Sequence, residues 1–283
     1  MKRLLPALLM ISAIMLASGC SGTGTEDSPA STDGEEASAL TGGWSSPGNG
    51  VAYRSTGAGD GVFIGYAGYS VSLANSVAWV GALSATRLEA LHVGHLYAVR
   101  GPSDAGYNNK DIANTHLASH LVGVDGPGHA APFVLVGAHS SGTMVAHELF
   151  GQVIEGAGDP KHVLEGKIVY ANLDGGQSGL NARILSSLKR IEFVWAEDTT
   201  LSHGRSTNSG GMEALGQEHG GSGLRLVVDR SGCHSGAKWC LHDLLITTRP
   251  HNPDTFDLVR DYTDFVGRPV QDKWIRAVES SLR

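Results

Sequence analysis

A serine lies at the point where a strand-like segment gives way to a helix-like one. The apolar run 132–136 leads into Gly-Ala-His-Ser-Ser-Gly at 137–142, and helical spacing of apolar residues follows over 143–153. This context is typical of a nucleophile elbow, a tight turn that needs small residues two positions before and two after the nucleophile. Ser140 has alanine and glycine there, whereas the neighbouring Ser141 has a histidine and a threonine. We therefore predict that Ser140 is a nucleophile; the alternative is a serine that only caps the following helix.

Strand-like and helix-like segments alternate along most of the chain. Strands are expected at 62–66, 95–99, 132–136, 167–171, 191–196 and 224–228, and helices at 72–91, 110–122, 143–153, 180–188 and 274–282. Such alternation predicts an α/β fold with a mainly parallel central sheet and helices on both faces. Ligands of these sheets bind beyond the C-terminal ends of the strands, so the chemistry is expected just after each apolar run.

Charge and composition exclude several classes of protein. The 283 residues are 41% hydrophobic and 17% charged, which is unlike a disordered chain or a coiled coil. The formal net charge of −7 argues against a nucleic-acid partner, because such a partner requires a basic face. Glycine is abundant, at 39 residues, and predicts many tight turns.

The elbow and the order of elements together resemble the α/β-hydrolase family over residues 50–283. The resemblance is carried by Val-Leu-Val-Gly-Ala-His-Ser-Ser-Gly at 134–142. The segments Tyr-Ala-Asn-Leu-Asp-Gly-Gly at 170–176 and Trp-Cys-Leu-His at 239–242 look like an uncharacterised bacterial branch of that family. The resemblance implies a serine hydrolase with a catalytic triad that needs no metal and no organic cofactor.

The family resemblance also implies an oxyanion hole made of two backbone N–H groups. One belongs to the residue after the nucleophile, here Ser141. The other lies just after an earlier strand, which here is 62–66, so the donor is Tyr66 or Ala67. The His-Gly pair common at that position in the family is absent from this chain.

The acid and the base are expected in the family order of serine, acid and histidine. A serine hydroxyl needs a neighbouring base, usually a histidine that a carboxylate orients. Asp198 follows the strand 191–196 and occupies the commoner position, so it is the preferred acid. Asp174 follows the preceding strand, a position that some members use, although its Asp-Gly-Gly setting is also typical of a turn.

Position selects three of the 13 histidines as candidate bases, because they follow the sixth strand. His242 is preferred, since it opens an apolar stretch next to a pair of cysteines. His251 lies in a rigid turn between two prolines and is the main alternative, and His234 is the third candidate. His139 is too close in sequence to Ser140 to act as its base, so we expect it to line the pocket or pack below it.

The N-terminal segment 1–19 has the pattern of a secretory signal peptide. Two basic residues precede an apolar run of about a dozen residues, which is shorter than the ~20 residues needed to span a bilayer. Leu-Ala-Ser-Gly-Cys at 16–20 resembles a bacterial lipobox, which implies acylation of Cys20. The alternative is an ordinary signal peptide with an incidental cysteine.

The polar segment 20–45 is rich in Ser, Thr, Gly, Asp and Glu, so we expect a flexible tether between the lipid anchor and a domain at 46–283. These segments together predict an exported lipoprotein that is anchored to a membrane, on the periplasmic side or at the cell surface. Ser21, after the acylated cysteine, favours the outer membrane if the host is Gram-negative.

Two further cysteines, Cys233 and Cys240, are expected to form a disulfide in an oxidising compartment. A zinc site with His234 and His242 is the competing interpretation, but zinc ligands prefer closer cysteine spacing. A redox role is disfavoured because the spacing is not Cys-x-x-Cys.

The sequence therefore predicts an exported serine hydrolase that acts on a small-molecule or lipid carboxylic ester through an acyl-enzyme on Ser140. The Gly/Ser/Thr-rich segment 199–223 is expected to form a mobile lid or a rim of the pocket. The alternative is a non-catalytic, surface-displayed binding lipoprotein on a hydrolase scaffold, because a fold does not fix a function. The two hypotheses differ in whether a histidine and a carboxylate converge on Ser140.

Overall fold

Strands and helices alternate in the computed structural model, which describes residues 42–102, 110–202, 204–219, 222–227, 238–246 and 268–283. The strands are β1 (Ser45–Gly48), β2 (Val51–Ser55), β3 (Gly61–Tyr66), β4 (Val93–Val99), β5 (Val134–His139), β6 (Ile168–Leu173), β7 (Arg190–Glu197) and β8 (Ser222–Val227). The helices are α1 (Leu73–Leu83), α2 (Lys110–Val122), α3 (Gly142–Phe150), α4 (Ala182–Ser187), α5 (Ser209–His219), α6 (Lys238–Asp243) and α7 (Arg268–Glu279).

The eight strands form one sheet in the order β1-β2-β4-β3-β5-β6-β7-β8. All pairs from β4 through β8 are parallel, and the pairs β1–β2 and β2–β4 are antiparallel. The predicted fold class, a mainly parallel sheet, is confirmed. The β1–β2 hairpin at the edge was not expected, because its strands are short and half exposed and lack a continuous apolar run.

Both faces of the sheet are covered by helices, which explains the apolar runs of its central strands. Every residue of β3, β5 and β6 is buried, as expected for strands covered on both faces. Alternate side chains enter two separate hydrophobic cores. Phe63 belongs to the core that also contains residues of α1, α6 and α7, whereas Val62 and Ile64 belong to the core that contains residues of α2, α3, α4 and α5. The predicted helices on both faces are therefore confirmed.

Two segments differ from the sequence expectation. In place of one helix over 72–91, the α-helix ends at Leu83 and is followed by a π-helical turn and a 3-10 turn. The 3-10 turn is capped by His92, which has a positive φ of 59°. The expected lid segment 199–223 instead contains α5, whose buried Met212 and Leu215 join the core. Within the described ranges, no helix has the length and apolarity needed to cross a bilayer.

Candidate active site

Ser140 occupies a tight turn between β5 and α3. Its φ of 55° is in the left-handed region, which a non-glycine residue seldom adopts. A Cβ atom at Gly142 would lie 2.2 Å from the carbonyl oxygen of Ala67, so only glycine fits there. The backbone N–H of Ser140 donates to the carbonyl of Leu173 at 3.1 Å, which ties the turn to the end of β6. These features are those of a nucleophile elbow.

Thr143 braces the same turn from below. Its hydroxyl donates to the carbonyl of Ser140 at 2.7 Å and accepts from the N–H of Gly176 at 3.0 Å. The loop after β6 is held further by Asn172, whose side chain accepts from the N–H of Gly175 at 2.9 Å and donates to the carbonyl of Gly176 at 3.1 Å. Sequence reasoning did not identify Thr143 or Asn172; an Asn two residues before Asp-Gly-Gly is a recognisable turn signal.

His242 is paired with Asp174. Its Nδ1–H donates to Oδ2 of Asp174 at 2.6 Å, and both side chains are buried. Asp174 lies directly after β6 and has a positive φ of 51°. Because Nδ1 is the donor in this pair, Nε2 is the nitrogen left to accept a proton. The arrangement is that of an oriented general base.

The structure corrects the preferred pairing of His242 with Asp198. Asp198 is buried after β7 and accepts hydrogen bonds from the N–H and the hydroxyl of Thr200, at 2.9 and 2.6 Å. The physical reason lies in the strand order: Asp174 follows β6, which is adjacent to β5 and Ser140, whereas Asp198 follows β7, one strand further away. The alternative acid, Asp174, is therefore the one that the geometry brings to the histidine.

A second histidine, His139, lies beneath the base. Its Nε2–H donates to the backbone carbonyl of His242 at 3.0 Å, and the two rings lie 4.3 Å apart. Its Nδ1 is buried and has no hydrogen-bond partner among the described residues. Burial, with a smaller contribution from His242, lowers the pKa of His139 well below its usual value, so this ring is neutral. The expectation that His139 lines the pocket agrees with this position.

Ser140 and His242 face one cavity of about 220 Å³. It is also lined by Gly68, Tyr69, Val71, His139, Trp239, Asp243 and Ile246. Tyr69 and Trp239 are 57% and 52% exposed, and the Trp239 ring meets the His242 ring edge-on at 5.4 Å. The site is thus a small cavity lined by Ser140 and two histidines, with two exposed aromatic side chains.

The turn after β3 passes beside the elbow, where the second oxyanion donor is expected. A Cβ atom at Gly68 would lie 3.2 Å from Cβ of Ser140. The side chain of Tyr66 leaves this region, because its hydroxyl donates to Asn114 at 2.9 Å inside the opposite core. Ser141 is the N-cap residue of α3, so its backbone N–H directly follows the predicted nucleophile. The choice between Tyr66 and Ala67 as the second N–H donor stays a prediction.

Several predicted residues lie outside the described ranges: Cys20 with the signal peptide, most of the tether, Cys233, His234 and His251. The predicted disulfide therefore stays a prediction; its described partner, Cys240, is buried in α6 next to His242. One group of residues has a donor set suited to a metal ion. Ligand atoms of His139, His242 and Asp243 lie within 4.8 Å of one another.

Comparisons with known proteins give only distant likenesses. No family model and no curated protein matches the chain. Among solved structures, it is similar to esterase 2 of the planctomycete Thermogutta terrifontis with propionate bound (12% identity, TM-score 0.41), with butyrate bound (10%, 0.37) and phosphonylated by cyclosarin (11%, 0.38). Each alignment covers 81% of this chain and 89% of the esterase. Likenesses this low carry no conclusion about activity, so the function must come from the site itself.

Proposed function

We propose that this protein is a serine hydrolase that cleaves carboxylic esters through an acyl-enzyme on Ser140. One observation carries the proposal: His242, whose ring forms a buried hydrogen bond with Asp174, lines the same cavity as Ser140. A histidine held in one tautomer beside a strained serine is the arrangement that activates a hydroxyl.

The mechanism follows from the positions of these groups. Nε2 of His242 takes the proton of the Ser140 hydroxyl as its oxygen attacks the acyl carbon, and Asp174 stabilises the imidazolium that forms. The N–H of Ser141 and an N–H of the turn after β3 hold the oxyanion. His242 then returns the proton to the leaving alcohol. A water molecule, deprotonated by the same nitrogen, releases the acid and regenerates Ser140.

Two features support an ester whose acyl group is small and whose remaining part, outside the cavity, is apolar. A cavity of about 220 Å³ has room for only a short chain. The aromatic rings of Tyr69 and Trp239 stand half exposed at its edge, where they offer apolar contact to the part of the substrate outside the cavity. An ester is favoured over a peptide because an ester oxygen needs less help from an acid to leave than a peptide nitrogen, which must be protonated first.

The alternative, a binding lipoprotein without catalysis, lacks a specific supporting observation. A scaffold used only for binding has no need for a buried acid and histidine beside a strained serine, since such strain and burial cost stability. The convergence of His242 and Asp174 on the serine cavity favours the hydrolase.

We propose further that the hydrolase is exported and anchored to a membrane through acylated Cys20, with a flexible tether before the domain. The apolar leader and the Leu-Ala-Ser-Gly-Cys motif support this proposal. A disulfide between Cys233 and Cys240 suits the oxidising compartment that export implies. Release of the protein from membranes by a buffer wash without lipase would contradict the lipid anchor.

A fluorophosphonate probe followed by peptide mass mapping tests the activity. We expect labelling at Ser140, together with hydrolysis of p-nitrophenyl acetate, and loss of both in Ser140→Ala. Ser141→Ala is the matched control: it keeps its backbone N–H, and its hydroxyl has no hydrogen-bond partner among the described residues, so labelling should persist. Folded protein that is neither labelled nor active would refute the proposal.

A further inference from the structure

The floor of the serine cavity carries a set of nitrogen and oxygen donors that the ester mechanism does not use together. His139 and His242 are buried, Asp243 is partly buried, and one ligand atom from each lies within 4.8 Å of the other two. Two imidazoles and one carboxylate are a ligand set that Zn²⁺ takes in proteins. Donors of a tetrahedral zinc stand roughly 3.3 Å apart, so small side-chain adjustments bring these three into range.

The hydrogen bonds of both histidines leave the right nitrogens for a metal. His139 donates Nε2–H to the carbonyl of His242, and His242 donates Nδ1–H to Asp174. In each ring, the nitrogen that does not donate is therefore the one that can offer a lone pair to a metal. Metal-binding histidines nearly always donate their second N–H to a carbonyl or a carboxylate in this way.

The position of the His139 lone pair points to a ligand as well. His139 is only 3% exposed, and its Nδ1 has no hydrogen-bond partner among the described residues. This nitrogen lies on the serine side of the ring, since a Cβ atom at Gly68 would be 3.3 Å from Nδ1 and 3.2 Å from Cβ of Ser140. A buried acceptor without a donor is costly, and a bound cation removes that cost.

From these observations we propose that His139, His242 and Asp243 form a zinc site that reversibly inhibits the enzyme. Zn²⁺ coordinates Nδ1 of His139, Nε2 of His242 and a carboxylate oxygen of Asp243, and water or the Ser140 hydroxyl takes the fourth position. The ion occupies the lone pair with which His242 would accept the serine proton. The inhibition, unlike the binding itself, rests on the proposed function.

Binding is tested with Zn²⁺ alone by competition against a chromogenic zinc chelator, on the full-length Ser140→Ala protein. Because that variant lacks the nucleophile, its zinc affinity does not depend on catalysis. We expect one zinc per chain. When His139→Asn or Asp243→Asn is combined with Ser140→Ala, the zinc affinity should fall at least about tenfold. Even the loss of a residue that only hydrogen-bonds to a metal ligand typically has that effect. His162→Asn, at an exposed histidine outside the cavity, is the control and should leave affinity unchanged.

Inhibition is tested on the wild-type protein through fluorophosphonate labelling. Zinc should slow labelling of Ser140, EDTA should restore it, and Asp243→Asn should raise the zinc concentration needed by about the same factor as its loss of affinity. Absence of zinc binding, or binding that neither His139→Asn nor the half-exposed Asp243→Asn weakens in folded protein, would overturn the zinc site. Zinc binding without any labelling in metal-free protein would overturn the hydrolase and leave the zinc site standing.

Discussion

The backbone N–H of Asn208 donates to Oδ1 of Asp174 at 2.9 Å, on the carboxylate oxygen that His242 leaves unused. The Asn208 side chain donates in addition to the backbone carbonyl of Asp174 at 2.7 Å. A carboxylate with a donor on each oxygen is held in one orientation. The loop that follows β7 therefore supports the acid that follows β6.

Replacement of each acid by its amide separates the two candidates. Asp174→Asn should lower kcat by about 10³–10⁴, because an amide facing Nδ1 favours the wrong histidine tautomer. Asp198→Asn should change kcat less than about threefold, since Asp198 bonds Thr200 instead. The measurement is p-nitrophenyl acetate hydrolysis, with thermal melting to establish that both variants fold. The reverse order of effects would restore Asp198 as the acid.

Two glycines at opposite ends of α3 predict opposite changes in stability. A Cβ atom at Gly142 would lie 2.2 Å from the backbone oxygen of Ala67, so Gly142→Ala should lower the free energy of unfolding by about 1–3 kcal/mol or more. At Gly151, which has helical dihedral angles, nothing lies within 4 Å of the added atom, and Gly151→Ala should raise it by about 0.5–1 kcal/mol. Urea denaturation measures both; equal effects would contradict the close approach at the elbow.

His147 predicts a loss of stability on acidification. Its Nδ1–H donates to the carbonyl of Ser178 and its Nε2 accepts from the Tyr170 hydroxyl, both at 2.7 Å. Burial lowers its pKa from 6.5 to about 4, against a smaller opposing effect of the Ser178 hydrogen bond. Between these values the unfolded chain binds a proton that the folded chain does not. The free energy of unfolding therefore falls as the pH falls through this window, by about 3 kcal/mol in full.

The check is chemical denaturation at a series of pH values from 7 to 4. His147→Gln, which cannot titrate, should flatten the dependence, whereas the exposed His162→Gln should leave it as in the wild type. His139, whose pKa burial also lowers, contributes in the same direction and keeps some dependence in both variants. An unchanged slope in His147→Gln would show that this ring is not the titrating group.

Trp239 predicts a preference for apolar substrates. Trp239→Ala should raise KM for a naphthyl ester by up to about tenfold, corresponding to about 1.4 kcal/mol of lost apolar contact, and should change KM for a methyl ester little. Val124→Ala is the control at an exposed apolar side chain outside the cavity. A uniform rise in KM for both esters would indicate distortion of the site through the Trp239–His242 contact instead.

The central sheet could be predicted because its strands carry continuous apolar runs. Burial on both faces imposes such runs on β3, β5 and β6, and the elbow between β5 and α3 requires small residues at defined positions. The hairpin β1–β2 has neither property. Its strands are held by backbone pairing, β1 to β2 and β2 to β4, which leaves no clear pattern in the sequence.

The sequence narrowed the acid to two residues and favoured Asp198, whereas the structure pairs His242 with Asp174. Both aspartates follow a strand, and only the order of strands in space separates them. The Asp-Gly-Gly sequence at Asp174 serves a turn and the acid at once, so the turn signal obscured the other role. The hydrogen bond from Asn208 to Asp174 could not be predicted from the sequence, because its donor is a backbone N–H, which every residue except proline has.

His242 lies far along the chain from Ser140 and Asp174, and this distance in sequence has a consequence for how the site is assembled. Ser140 and Asp174 end adjacent strands and are joined by the hydrogen bond from the elbow N–H to Leu173, so they form a preassembled unit as soon as the sheet exists. His242 comes from the six-residue helix α6, whose buried Leu241 and the apolar 244–246 run anchor it to the core. Under the proposed mechanism the base therefore comes from the last third of the chain, and a chain that ended before α6 would contain Ser140 and Asp174 without His242.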